Sequence, residues 1–303
     1  MSRQHRHSES HRHGDLQVIT CEDCGFRHLW PLPSMEELQE TYEKRFGGDV
    51  RPQFRERKRE DVAHWERVFD RRLVEYRRIL PNVEKPRVLD IGCGVGDFLA
   101  YCKAQDFEVW GVEPSSHFHG ELERKGIKFI PKLIENITPE QWQELGAFDI
   151  VNMSMFLEHV YDPVATVLAA TKHLVAGGIL SIECPNDFNP LQRAAVATSG
   201  EQNWWISPLH INYFDFDSLE ALCNQINFTP VHRTTQFPLE MFILFGDSYV
   251  GNDALGREMH AKRMKFEQAL GDSGHSELLK DLYDEMAKLG VGRQATIYAL
   301  KNE

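Results

Sequence analysis

The run Val88-Leu89-Asp90-Ile91-Gly92-Cys93-Gly94-Val95-Gly96-Asp97 carries an apolar strand into a glycine-rich turn and then a helix. Glycines let the main chain approach a ligand where side chains would block it, and the helix start offers free amides. The spacing is G-x-G-x-G, not the G-x-G-x-x-G that rests a pyrophosphate on a helix N-terminus. A carboxylate before the turn, Asp90, disfavours a polyphosphate and favours a cationic or hydroxyl-bearing ligand. A second acid, Glu113, closes the apolar stretch Val109-Trp110-Gly111-Val112, 23 residues after Asp90.

Two histidines carry the next chemistry. His159 follows Glu158, and His210 sits inside the aromatic cluster Asn203-Trp204-Trp205-Ile206-Ser207-Pro208-Leu209-His210-Ile211-Asn212-Tyr213-Phe214. An imidazole titrates near neutrality and can take a proton from a hydroxyl or an acidic carbon. Trp204, Trp205, Tyr213 and Tyr161 would give such a site the aromatic walls of a small-molecule pocket, and Met241, Phe242, Phe245 and Tyr249 could close it. The alternatives stay open: His159 as a helix-start residue bonded to backbone, the aromatic cluster as a hinge, and Met241–Tyr249 as a core-facing strand.

Cys21-Glu22-Asp23-Cys24-Gly25 has the knuckle spacing that presents two thiolates to one Zn²⁺. A tetrahedral structural site needs two more ligands, and the chain offers His5, His7, His11, His13 and His28. The expected set is Cys21 and Cys24 with two of His11, His13 and His28; the alternative is an unmetallated pair.

The motifs resemble the class I S-adenosylmethionine-dependent methyltransferases. Asp90–Asp97 is similar to motif I, and Glu113 stands where the family's acid grips both ribose hydroxyls. Phe148–Met153 resembles the fourth strand, and Leu157-Glu158-His159-Val160-Tyr161-Asp162-Pro163 the segment after it. Leu174-Val175-Ala176-Gly177-Gly178-Ile179-Leu180 resembles the Leu-x-Pro-Gly-Gly-x-Leu turn, with Ala176 in place of proline. The resemblance covers about residues 86–230. It implies a Rossmann-like α/β fold, a mostly parallel seven-stranded sheet with helices on both faces, and S-adenosylmethionine as cofactor. Its implied cofactor contacts are Asp90, Gly92, Cys93, Gly94, Gly96, Phe98, Glu113, Pro114, Leu133, Ile134, Asn152 and Met153. In relatives that methylate hydroxyls or activated carbons the Glu-His pair lies near the acceptor, which implies that role for Glu158 and His159. The knuckle resembles the N-terminal zinc module of methyltransferases from natural-product and deoxysugar pathways. Those usually have an earlier cysteine pair, which this chain lacks. The implied function is O- or C-methylation of a small molecule with a histidine base. An N- or protein-directed methyltransferase would need no base, and a non-catalytic cofactor-binding scaffold would need no acceptor site.

The elements that must position these residues can be read from periodicity. Met1–His13 is low-complexity and expected to be mobile, and Val18–Trp30 reads as a strand-like stretch. Ser34-Met35-Glu36-Glu37 has the spacing of a capping box, predicting a helix to about Phe46. Apolar residues recur at three- and four-residue steps over about 54–80, an amphipathic helix with a solvated charged face and the basic run Arg55–Arg59. From Pro86 the chain alternates strands at Arg87–Ile91, Glu108–Val112, Lys128–Ile130, Phe148–Met153 and Gly178–Glu183 with helices at Phe98–Gln105, Ser116–Lys125 and Pro163–Leu174. That alternation predicts a parallel sheet with its ligand outside the carboxyl ends of the strands. Ser218–Gln225 reads as helix, Val231–Gln236 and Gln294–Leu300 as strands, and Ala254–Leu270 and Glu277–Leu289 as helices. The expected division is a tail and knuckle (1–33), accessory helices (34–80) and a catalytic domain (81–303) with a helical insertion at about 245–293, a candidate lid or homodimer surface.

Composition sets the outer bounds. The 303 residues are 42% hydrophobic, as a globular core requires, and carry six cysteines, too few for a disulfide-stapled secreted domain. No apolar run approaches the 18–20 or so residues of a membrane span, so the expectation is a cytoplasmic protein without a membrane partner. Residues 1–80 hold 16 basic and 15 acidic side chains, leaving 18 against 31 in the remainder. So acidic a body repels a nucleic-acid backbone.

Overall fold

The computed structural model describes residues 5–34, 36–38, 40 and 61–303. In chain order the strands are β1 (His7–His13), β2 (Leu16–Cys21), β3 (Arg27–Leu29), β4 (Arg87–Ile91), β5 (Glu108–Val112), β6 (Lys128–Ile130), β7 (Phe148–Ser154), β8 (Leu174–Pro185), β9 (Asn212–Tyr213), β10 (Phe228–Thr234) and β11 (Gln294–Lys301). The helices are α1 (Val62–Ile79), α2 (Asp97–Ala104), α3 (Ser116–Arg124), α4 (Pro139–Leu145), α5 (Pro163–Ala170), α6 (Pro190–Ser199), α7 (Phe216–Gln225), α8 (Glu240–Leu244), α9 (Asp253–Asp272) and α10 (Ser276–Lys288). No described helix is long and apolar enough to cross a membrane.

Contacts divide the chain into two compact units, the first of Met1–Lys58, Cys184–Ala221 and Arg233–Thr296, the second of Arg59–Glu183, Leu222–His232 and Ile297–Glu303. The N-terminal knuckle and the helical insertion therefore belong to one unit, and α1 to the other.

The second unit is built on a seven-stranded sheet in the order β10-β11-β8-β7-β4-β5-β6. Pairs β4–β5, β5–β6, β4–β7 and β7–β8 are parallel. This is the expected α/β architecture. Val88, Leu99, Leu122, Ile150 and Ile179 fill its core, and Leu73 and Tyr76 of α1 pack into the same cluster. Burying side chains on both faces is why the strands read as continuous apolar runs. The helices between them start where the sequence provides caps. Thr138 and Gln141 form a reciprocal capping box ahead of α4, and Asp162 accepts from the Ala165 amide ahead of α5.

The first unit carries the antiparallel sheet β1-β2-β3-β9. Val18 and Leu29 from that sheet pack with Phe188, Trp205, Ile211 and Tyr213. A separate cluster of Phe237, Leu279 and Tyr283 packs the helical insertion.

Several boundaries differ from the sequence expectation for identifiable reasons. His7–His13 is a strand, not a mobile tail: it pairs with β2 through backbone bonds while most of its side chains stay exposed, so it leaves no apolar pattern to read. Val18–Trp30 is two strands flanking the knuckle. α5 ends at Ala170, short of Leu174, because the sheet recruits Leu174; the Phe148 amide donates to His173 O and Phe148 pairs with Leu174. β10 begins at Phe228, earlier than Val231, and tolerates Pro230 because it lies at the sheet edge. Ser34 Oγ accepts from the Glu37 amide and Glu37 reaches back to the Ser34 amide, as the capping box requires. The expected continuation to Phe46, the start of the helix at residues 54–60 and the basic run Arg55–Arg59 lie outside the described residues.

Candidate active site and metal centre

In the second unit the strand order reverses at β4, whose neighbours are β5 on one side and β7 on the other. Ligands of open α/β sheets bind outside the carboxyl ends of the strands at such a switch point. The glycine-rich turn leaves β4 there. Gly92, Gly94 and Gly96 adopt φ of +71°, +54° and +70°, which other residues reach only with strain. The three are not equivalent. A Cβ on Gly92 would stand 2.6 Å from the Phe156 ring and one on Gly96 2.5 Å from Leu122, whereas one on Gly94 would meet nothing within 4 Å. Gly94 therefore faces open space. Gly96 is also the N-cap of α2 and supplies no side-chain acceptor to its first amides.

Glu113 is clamped at the same turn. Its Oε2 accepts from the Gly94 amide and its Oε1 from the Ser115 amide, each at 2.8 Å. A carboxylate offers about four lone-pair directions, so each oxygen keeps one for a ligand. Burial pushes Glu113 up, and the two backbone amides oppose that. Burial pushes Asp90 up to about 7 against the Asn152 amide and the Arg72 charge, which favour the anion.

Asp90 is held from behind. Asn152 Nδ2 donates to Asp90 Oδ1 at 2.6 Å, while Asn152 Oδ1 accepts from the Tyr76 hydroxyl at 2.9 Å and Arg72 Nη1 at 3.2 Å. Arg72 Nη2 pairs with Glu183 Oε1 at 2.8 Å, and Ser154 Oγ donates to the same oxygen. Helix α1 is thereby tied to the carboxyl ends of β4, β7 and β8. The Asn152 side chain is occupied within this network and Met153 is fully buried. Phe98 and Ile134 are core residues, whereas Leu133 is half exposed and Pro114 exposed. Cys93 packs its thiol where a Cβ on Gly111 would stand, and burial raises it far from a reactive thiolate.

Each candidate base has a carboxylate neighbour within its own unit. His159 Nε2 lies 3.7 Å from Oε1 of buried Glu158, and His210 Nδ1 lies 4.0 Å from Oδ2 of buried Asp187. The aromatic residues around His210 are mostly structural. Trp205 and Tyr213 are core side chains, Trp204 packs on that core, and the Tyr213 hydroxyl both accepts from the Ser207 amide and donates to Ser207 O. Tyr161 is half exposed. Of Met241, Phe242, Phe245 and Tyr249, only the first two join an apolar cluster, and that stretch is helix α8 and the turn after it, not a strand.

In the first unit, His5, Cys21, Cys24 and His28 each place one ligand atom within 4.8 Å of all the others. His5 Nδ1 lies 3.3 Å from Cys21 Sγ, 3.6 Å from Cys24 Sγ and 3.1 Å from His28 Nε2. The His28 Nδ1 is 2.8 Å from Leu29 O, so that nitrogen carries the proton and Nε2 presents its lone pair. The Cys24 amide points at Cys21 Sγ from 3.4 Å. Two thiols and two imidazole nitrogens at these separations fit a tetrahedral Zn²⁺. The Arg6 guanidinium and backbone amide both bind the Asp23 carboxylate, which sets His5 over the knuckle. Of the histidines expected from sequence, His28 is in this group and His11 and His13 are not. Register explains this: His7 stands opposite Cys21, while His11 stands opposite Val18 and His13 opposite Leu16, roughly 10 Å or more along the strand. His11 instead lies against Glu9 and the Phe188 ring.

The family described as methyltransferase domain matches residues 62–233. The chain belongs to the class I S-adenosylmethionine-dependent methyltransferases. Among curated methyltransferases, the ubiquinone biosynthesis O-methyltransferase of Ruegeria sp. is 30% identical over 158 residues, 48% of this chain and 62% of that protein. Its namesake from Aromatoleum aromaticum is 35% identical over 95 residues, 30% of this chain and 41% of that protein. The similarity thus spans less than two thirds of either relative. The plantazolicin methyltransferase BamL, solved with a triazolic desmethylPZN analog and SAH, superposes with a TM-score of 0.54 over 88% of this chain and 96% of its own at 14% identity. The plantazolicin methyltransferase BpumL, solved with the same class of analog and SAH, gives 0.53 over 89% and 100% at 15% identity. Likeness at that identity speaks for the methyltransferase fold alone.

Arg72, Glu183 and Asp187 are not singled out in the sequence of this methyltransferase, and His5 stands among the five histidines on offer but outside the expected ligand set. A signal existed for Arg72: it shares the Val68-Arg72-Tyr76 stripe of α1, four residues apart on the buried face, although its charge suggested solvent. For His5 the signal lay in strand pairing, which composition does not report.

Proposed function

We propose that this chain transfers a methyl group from S-adenosylmethionine to a hydroxyl oxygen or acidic carbon of a small molecule. The observation that carries the reading is Glu113, fixed by the Gly94 and Ser115 amides at the switch point, beside a glycine that faces open space. When bound, S-adenosylmethionine supplies an electrophilic methyl carbon. Glu113 would hold the ribose diol with its remaining lone pairs, the Gly92–Gly96 main chain would admit the ligand closely, and Leu133 would offer an apolar surface to the adenine. Asp90, held by Asn152, keeps that turn in place.

Methyl transfer from a sulfonium is an in-line displacement, so much of the acceleration comes from positioning. An oxygen or carbon acceptor must also lose its proton. His159 beside Glu158 and His210 beside Asp187 are the two groups suited to take it, each with a carboxylate that stabilises the imidazolium. The similarity to proteins named as O-methyltransferases supports an oxygen acceptor. His159→Gln and His210→Gln, assayed with the true acceptor, test this: at least one should lose activity by about 100-fold or more. If both keep full activity, an N- or protein-directed transfer replaces this reading.

A structural Zn²⁺ in the N-terminal module is the second part of the reading. The four converging ligand atoms of His5, Cys21, Cys24 and His28 support it.

A further inference from the structure

The first unit contains a second polar cluster that the cofactor site does not use. After β8 the chain passes through Asp187 into α6, where Gln192 sits in the first turn behind the Asn189 cap. Gln192 Nε2 donates to Asp187 Oδ1 at 3.1 Å and to Glu240 Oε1 at 3.3 Å, so one amide bridges two carboxylates from different segments. All three are buried; Glu240 is 0% and Gln192 2% exposed. Arg293 pairs with Glu240: its Nη1 is 3.7 Å from Glu240 Oε1 and its side chain is 40% exposed.

Three atoms here are buried without a hydrogen-bond partner among the described residues: Glu240 Oε2, Gln192 Oε1 and the Tyr249 hydroxyl. Tyr249 is close enough for the Glu240 charge to add to burial in raising its phenol. Buried polar groups in folded proteins nearly always have partners, and an unbalanced buried carboxylate is costly. The two oxygens left over on Glu240 and Gln192 can only accept. Two carboxylates face one half-exposed guanidinium. What the cluster lacks is a donor carrying positive charge. A primary ammonium supplies three donors and one charge; an alcohol supplies one donor and none.

We propose that Asp187, Gln192, Glu240 and Tyr249 form an acceptor subsite that binds a protonated amino group. The inference rests on the small-molecule reading above and narrows it: His210 Nδ1 is 4.0 Å from Asp187 Oδ2, so the subsite adjoins a candidate base. An ammonium nitrogen has no lone pair and cannot be the methylated atom. The acceptor is therefore an amine-bearing small molecule methylated on a different atom.

The test is equilibrium binding to protein saturated with S-adenosylhomocysteine, in phosphate buffer near neutral pH, with matched probes: benzylammonium against benzyl alcohol and n-butylammonium against n-butanol. The ammonium member of each pair should bind about tenfold or more tightly, the worth of one charge-assisted hydrogen bond. Glu240→Gln should abolish that preference, and Tyr249→Phe should reduce it. The second variant stands in should the first fail to fold. Equal affinity within the pairs, no measurable ammonium binding at tens of millimolar, or a preference that survives both substitutions overturns the proposal and leaves the orphaned oxygens to water. His210→Gln separates the two readings. Paired with His159→Gln, it should leave the ammonium preference whether or not turnover is lost; full turnover in both histidine variants with the preference intact would remove the general base and keep the subsite.

Discussion

Asn152 donates to Asp90 across 2.6 Å, and its carbonyl oxygen is claimed by Tyr76 and Arg72. One amide on β7 thus connects the acid before the glycine-rich turn to a helix that precedes the whole nucleotide-binding motif. The connection ties α1 to the proposed cofactor site, although none of its residues belongs to the motif.

Asn152→Leu should orphan Asp90 and two donors at once. A loss of about 2–4 kcal/mol is expected from leaving such groups buried and unpaired, read as a lower urea midpoint at unchanged slope. Arg72→Met should cost about 3–5 kcal/mol, because it leaves the Glu183 charge buried without its partner.

The glycines of the turn should separate by role. Gly96→Ala drives its Cβ into Leu122 at a positive φ and should lower stability by more than the roughly 1–2 kcal/mol of backbone strain alone. Gly94→Ala carries the same strain with no clash, so its main effect should be on cofactor affinity. Parallel thermal melts and calorimetric titrations distinguish the two.

Stability should depend on Asp187 through pH. Burial pushes its carboxyl up to about 7 from an ordinary value of 3.8. Without a bound cation the folded state then holds a proton that the unfolded chain releases, so this group's contribution falls as pH rises through that window. The upper bound is about 4 kcal/mol. Asp187→Asn should gain stability relative to wild type between about pH 5 and pH 7.5 in urea unfolding. Parallel pH profiles would remove that origin.

Metal should be present at one Zn²⁺ per chain in untagged protein. His5→Ala and Cys21→Ser should lose it, while His11→Ala and His13→Ala should retain it. Because β3 pairs His28 with Asn212, two residues after His210, chelation should also speed amide exchange along 210–213. Zinc retained in His5→Ala but lost in His11→Ala would contradict the ligand set.

Legibility in the sequence tracked the range of the forces involved. The turn at Gly92–Gly96 and the parallel strands were readable because spacing and apolar runs are local properties. The Arg72–Glu183 pair joins residues over a hundred apart, and the knuckle's histidines depend on a strand register that exposed side chains do not signal. The aromatic run Trp204–Phe214 misleads for a related reason: core packing and a ligand wall use the same residue types, and only burial separates them.

The most direct measurement is calorimetric binding of S-adenosylhomocysteine to wild type and to Glu113→Ala. One site per chain is expected, with affinity lowered about 10- to 100-fold or more by the substitution, as losing two hydrogen bonds to a charged acceptor implies. Unchanged affinity in Glu113→Ala, or no binding to wild type, would contradict the placement of the cofactor at the end of β4.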